Sequence, residues 1–267
     1  MNKSIFAAIL YIFTMSYALP VFSITNGEYD ENRHPAVVLI IMEINNEPAF
    51  RCSGVLLDQF NVLTAGHCTG EPGQFSGLRI FTESNVDEGN NNYPYSGPNA
   101  VEAESWASHP DYTNSRFFVH DVGVIKLAQP VILPVDAYAA LPTVDMLDRL
   151  ATQRGLQDVT FTAVGYGLQR INPVFVESER ARMFSAPRLI QINAPGMTGD
   201  YSLLLSNNHA TGGTCFGDSG GPNFLGESPV VAGVTSFGLN GNCAGTGGVF
   251  RLDRQNVLDF INDFISQ

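Results

Sequence analysis

The chain has 267 residues, 44% of them hydrophobic and 15% charged, so it can bury a sizeable core and is too apolar for an intrinsically disordered protein. Acidic residues outnumber basic ones 26 to 14, a formal net charge of −12; such a chain repels phosphate backbones, and nucleic acid is excluded as an expected partner. With 26 glycines and 15 prolines, the composition suits a loop-rich β protein better than a helix bundle.

Residues 1–23, MNKSIFAAILYIFTMSYALPVFS, read as a secretory signal. Lys3 supplies the positive start, and residues 5–17 form an apolar run of h-region length, too short to span a bilayer comfortably. Cleavage falls after Ser23, or after Ala18 to leave a short propeptide at 19–23. The expected location is secreted or extracytoplasmic, with no membrane association once the signal is removed. Export makes the four cysteines, Cys52, Cys68, Cys215 and Cys243, disulfide candidates. They fall as one pair in each half of the chain, and four cysteines allow three connectivities. No CxxC or HExxH spacing favours zinc instead.

Runs rich in β-branched and aromatic residues predict strands at 36–44, 54–57, 62–64, 78–82, 122–127, 159–164, 189–193, 230–236 and 248–251. Residues 84–99 are rich in Asn, Gly and acids and predict a long solvated loop. The nearby Glu83, Asp87 and Glu88 lack regular oxygen-ligand spacing, so solvation is preferred there to calcium binding. A Pro-containing connector at 129–142 divides the chain into similar halves. Helical periodicity is clear only at the end, where Val257, Leu258, Ile261, Phe264 and Ile265 share a face and Asp253 is placed to cap it. The predicted architecture is all-β, with two barrel-like halves (about 24–135 and 143–252) and a C-terminal helix at about 254–265.

The strongest local signal is Gly217-Asp218-Ser219-Gly220-Gly221-Pro222. A serine becomes a useful nucleophile only when a base takes its proton and oriented N–H groups receive the charge on the attacked oxygen. Glycines around Ser219 let the backbone turn sharply and leave its amides unobstructed. The same residues fit the nucleophile elbow of α/β-hydrolases, but that elbow needs its histidine later in the chain. The last histidine is His209, so the base must precede Ser219. His67, in Leu63-Thr64-Ala65-Gly66-His67-Cys68, follows a strand and adjoins a cysteine, and imidazole is the natural base for a hydroxyl near neutral pH. His34, His109 and His209 sit among polar or turn residues and are expected at the surface; His120 is expected to be a bystander. Asp121 immediately precedes an apolar strand, where a buried carboxylate could accept a hydrogen bond from His67 and hold its tautomer. A subtilisin-like order using Asp30 or Asp58 is disfavoured by the lack of alternating helices.

In the order His, Asp, Ser, these three motifs resemble the trypsin/chymotrypsin-like serine proteases. Further matches are Cys52-Ser53-Gly54, Gly165-Tyr166-Gly167 and Val234-Thr235-Ser236-Phe237-Gly238. The resemblance runs from about Ile24 to the C-terminus. It implies two antiparallel six-stranded β-barrels with the active site between them. His67 would be the general base, Asp121 its orienter and Ser219 the nucleophile, with the amides of Gly217 and Ser219 as oxyanion hole. The implied disulfides are Cys52–Cys68 and Cys215–Cys243. Protein or peptide substrates and protein inhibitors are the implied partners, and no cofactor or metal is expected.

The resemblance also implies that a freed Ile24 α-amino group pairs with Asp218, ordering the oxyanion loop. Relatives usually carry Arg or Lys before that cut, whereas this chain has Ser23, so signal peptidase or later trimming is expected to expose Ile24. Gly213 maps to the base of the primary pocket, followed by Thr214, and offers no carboxylate. Gly238 and Gly248 map to the pocket walls, which suits a large apolar or aromatic substrate side chain. Residues Ser236, Phe237 and Gly238 are expected to pair with the substrate as an added strand. The competing expectation is a catalytically silent homologue that serves as a binding or regulatory module.

Overall fold

A computed structural model describes residues 23–88, 91–150, 159–172 and 175–267; the predicted signal lies outside them except for Ser23. In the first half six strands close into a barrel: β2 (Val37–Ile44), β3 (Glu47–Leu56), β4 (Asn61–Thr64), β5 (Gly77–Phe81), β6 (Ala100–Ser108) and β7 (Gly123–Leu127). The order around it is β2-β3-β4-β7-β6-β5, every neighbouring pair antiparallel. The run from Val37 to Met42 is wholly buried, as a strand covered on both faces must be. Asn45 and Asn46 join β2 to β3 with φ of 54° and 64°, the left-handed pair that a two-residue hairpin matched to strand twist requires.

The second half is an eight-stranded sheet in the order β1-β11-β8-β14-β15-β16-β13-β12. Its strands are β1 (Glu28–Tyr29), β8 (Phe161–Gly165), β11 (Met183–Ser185), β12 (Leu189–Ala194), β13 (Gly199–Asn207), β14 (Pro222–Leu225), β15 (Val231–Gly238) and β16 (Gly245–Arg251). A separate hairpin pairs β9 (Arg170–Asn172) with β10 (Phe175–Glu177). The sheet curls until β12 returns beside β8, where Phe161 N–H donates to Pro187 O and Leu189 N–H to Val159 O, both at 2.9 Å. Six strands from β8 round to β12 thus form the second, loosely closed barrel, and β11 and β1 extend it.

Differences from the sequence reading have local causes. Strand β6 was not predicted because Glu102 and Glu104 interrupt it, and much of it is solvent-facing. The helix at the C-terminus, α2 (Gln255–Ile265), follows the one-turn helix α1 (Gly66–Thr69) in chain order. It buries Val257, Leu258 and Ile261 but carries no side-chain cap. Asp253 is instead fully buried, bonded to the Arg251 guanidinium at 2.8 Å and to Leu147 N–H at 2.7 Å. The described parts of the predicted loop, 84–88 and 91–99, are only partly solvated: Val86 is buried and the Tyr93 ring packs edge-on against Phe81.

One core runs through both halves, from Val37–Met42 to Val164, Phe224, Val234 and Val257. A buried ion pair, Arg182 to Asp30 at 2.8 Å, lies at the same junction, and Arg182 also donates to Val37 O at 2.9 Å. His34, expected at the surface, is half-buried: its ring pairs with Asp30 and stacks on Phe224. Burial alone would raise the Asp30 pKa, but His34 and Arg182 more than offset it and hold the carboxyl below its ordinary range.

Candidate active site

Two local structures face one cleft and a third is buried behind the first of them. His67 sits on α1, directly after β4, and the Cys52–Cys68 disulfide ties that turn back to β3. Asp121 ends the loop before β7, and Ser219 lies in the glycine-rich loop before β14. Asp121 is fully buried. One carboxylate oxygen accepts the His67 backbone N–H at 2.9 Å, and the other lies 3.0 Å from His67 Nδ1 and accepts the Ser236 hydroxyl at 2.5 Å. An ionised carboxylate only accepts, so Nδ1 carries the proton and Nε2 is left with a lone pair. Burial alone would lower the His67 pKa; Asp121 more than offsets this and raises it. Phe117 covers the imidazole edge-on, with centroids 5.8 Å apart.

His67 and Ser219 both line a cavity of about 290 Å³. The loop carrying Ser219 is fixed by backbone bonds: Asp218 N–H to Cys215 O, Gly220 N–H to Thr235 O and Gly221 N–H to Asp218 O. The amides of Gly217 and Ser219 have no acceptor among the described residues. Two unpaired donors flanking a serine can take up an oxyanion. Gly217 adopts φ 98°, which a side chain would strain. Gly220 lies so close to the first barrel that a Cβ would meet Ser53 O at 2.5 Å.

Ser53, quoted in the sequence motif without a role, staples the halves together. Its N–H donates to Ser219 O at 2.7 Å, its hydroxyl donates to Gly217 O at 2.9 Å, and its Oγ accepts Tyr166 N–H at 3.0 Å. Asp218 is fully buried and accepts the amides of Gly167 at 2.7 Å and Cys215 at 2.9 Å. Burial dominates and pushes its pKa up to about 7, although both amides and the more distant Arg51 pull it down. Ile24 is also fully buried, packed with Ala181 and Met183.

Thr214, Ser236, Phe237 and Gly238 line the cavity. Gly213 and Gly248 do not reach its lining: a Cβ on Gly213 would meet Asn207 Cγ at 2.3 Å, and one on Gly248 would meet the Phe237 ring at 2.3 Å. Asn207 and Gly247 line it instead. Asn207 spends its polar atoms inside the protein, donating to Thr214 O at 2.7 Å and accepting the Thr25 hydroxyl at 2.6 Å. Sequence reasoning missed Asn207 because the strand that ends on it, β13, was itself not predicted. The second disulfide, Cys215–Cys243, joins two segments of the cavity wall. Of the other histidines, His209 is exposed as expected, whereas His109 is buried, its ring against Phe260 and His120.

The family model described as Trypsin matches residues 24–261. The venom serine protease Bi-VSP of Bombus ignitus is 27% identical, over 82% of this chain and 59% of its own length, so the match leaves a large part of that relative uncovered. Brachyurin of Leptuca pugilator is 28% identical over 72% of this chain and 77% of its own. Collagenase of Hypoderma lineatum is 25% identical over 72% and 67%. A solved HL collagenase structure superposes with a TM-score of 0.70 over 91% of this chain and 99% of that one, at 21% identity. The match over residues 24–261 and the shared fold make this chain a member of the trypsin family.

Proposed function

We propose that the chain is a secreted serine endopeptidase that cleaves peptide bonds through an acyl-enzyme. The observation that carries this reading is the His67–Asp121 contact, Nδ1 to Oδ2 at 3.0 Å, on a cavity wall shared with Ser219. In the proposed reaction Ser219 Oγ attacks the scissile carbonyl as His67 Nε2 takes its proton. The carbonyl oxygen becomes negative and is held by the amides of Gly217 and Ser219. His67 then returns the proton to the departing amine, leaving an ester on Ser219. A water molecule, deprotonated by the same imidazole, hydrolyses that ester and restores the serine.

An extended substrate would lie along 236–238, where Ser236 falls in a register shift of the β15–β16 ladder. The cavity wall offers Phe216, Phe237 and Leu239 and no carboxylate. A large apolar or aromatic side chain before the scissile bond fits this lining, and Arg or Lys does not. Asp218, buried and without a cation in hydrogen-bond contact among the described residues, is suited to receive the α-ammonium of Ile24 after cleavage at Ser23. Secretion fits the leader at 1–23, and among the described residues no helix is long and apolar enough to cross a membrane.

The test is labelling of the chain beginning at Ile24 with a sulfonyl fluoride. Stoichiometric modification of Ser219 that disappears in His67→Ala supports the endopeptidase. No labelling of folded protein contradicts it and points to a silent binding module.

A further inference from the structure

In and around the turn that carries Asp121, His109, Asp111 and His120 each bring a donor atom within 4.8 Å of the others. His109 is 5% exposed, and its ring stacks on His120 with centroids 4.9 Å apart. Its Nδ1 accepts a long hydrogen bond, 3.2 Å, from Asp111 N–H and lies 4.0 Å from the Asp111 carboxylate. Accepting that bond makes Nδ1 the lone-pair nitrogen, so the neutral ring carries its proton on Nε2. Nδ1 is thus the nitrogen of His109 available to an ion. His120 Nδ1 is buried and has no hydrogen-bond partner among the described residues, an unusual state for so polar an atom.

We propose that His109, Asp111 and His120 form a binding site for a transition-metal dication of the zinc class. Two imidazoles and one carboxylate favour zinc or copper over calcium or magnesium, which take mainly oxygen ligands. Ligand atoms about 2.0–2.2 Å from a tetrahedral ion must be closer together than the donors are now, and the His120 ring must turn out of its stack on His109 so that the two in-plane lone pairs converge. Asp111, with its side chain 68% exposed, can rotate to close the gap. The ion displaces the Asp111 N–H from His109 Nδ1, and water completes the coordination. The other such group among the described residues, Cys52, His67 and Cys68, has both sulfurs engaged in a disulfide. His120 directly precedes Asp121, and His109 N–H donates to Val122 O at 2.9 Å. An ion here would therefore grip the turn that presents the Asp121 carboxylate to His67.

Calorimetric titration of zinc chloride into the chelator-stripped, full mature chain tests the site. The expected result is one zinc per chain, with binding weakened at least about tenfold in Asp111→Asn and in His120→Asn, and no competition from calcium. Asp111 is exposed, so Asp111→Asn should keep the parent melting temperature even if His120→Asn disturbs the turn. Absence of stoichiometric binding, or undiminished affinity in a folded variant of either residue, overturns the proposal. The readout is binding, so its failure leaves the proteolytic reading intact, and failure of Ser219 labelling would leave the cation site intact.

Discussion

The two halves of the molecule divide the work unequally. The first is a fully closed barrel that contributes His67 and Asp121 from adjoining turns, fixed by the Cys52–Cys68 bridge and by the contacts of the His67 backbone N–H and Nδ1, and of Ser236 from the second half, with one carboxylate. Among the described residues the second closes by two backbone bonds where β12 returns to β8, and it carries Ser219 and most of the cavity wall. In the proposed reaction, proton transfer falls to groups on the closed barrel and substrate contact mainly to loops on the curled sheet. The Ser53 bonds to Gly217, Ser219 and Tyr166 register one half against the other.

The largest expected effect comes from cutting the unit across that boundary. Ser219→Ala should lower turnover about a millionfold, with melting temperature unchanged; a loss below about a hundredfold breaks the assignment. Asp121→Asn keeps the geometry but favours the wrong imidazole tautomer, so the rate constant should fall about ten-thousandfold, measured on the same peptide substrate.

A pH effect separates the precursor from the mature chain. The Asp218 pKa is raised from 3.8 to about 7, so in the unprocessed chain the folded state holds a proton that the unfolded state gives up. The stability this contributes is fully present below about pH 4 and is lost as pH rises through about 7. Denaturant titrations of the unprocessed chain should show that loss, amounting to several kcal/mol. The chain starting at Ile24 should not show it, because its ammonium pairs with the carboxylate. Identical profiles would contradict the ion pair. Smaller still, Ser53→Ala should cost about 1–3 kcal/mol by leaving buried polar groups unpaired, and should lower kcat more than it raises KM. An equal effect on both would mean that Ser53 is not registering the nucleophile loop.

Much of this arrangement was legible because each motif is a local solution to a chemical need. Glycines flank Ser219 since Gly217 adopts φ 98° and Gly220 abuts Ser53 O, and the apolar run after Asp121 is the strand β7. What escaped depends on contacts between distant segments. Asn207 sits at the cavity because it bridges Thr25 and Thr214, and nothing in its neighbourhood along the chain signals that. Polar neighbours suggested exposure for His109, yet its ring is covered by Phe260, from a helix far along the chain. Asp253 looked like a cap, but Arg251 and the Leu147 amide compete for it in the interior.

The central claim is that an imidazole from one barrel and a hydroxyl from the other act as a single device. Turnover of His67→Ala, Ser219→Ala and the double variant measures this directly. Residues that act as a unit should give a double variant no slower than the slower single one. Losses that multiply in the double variant would show two independent groups and contradict the account.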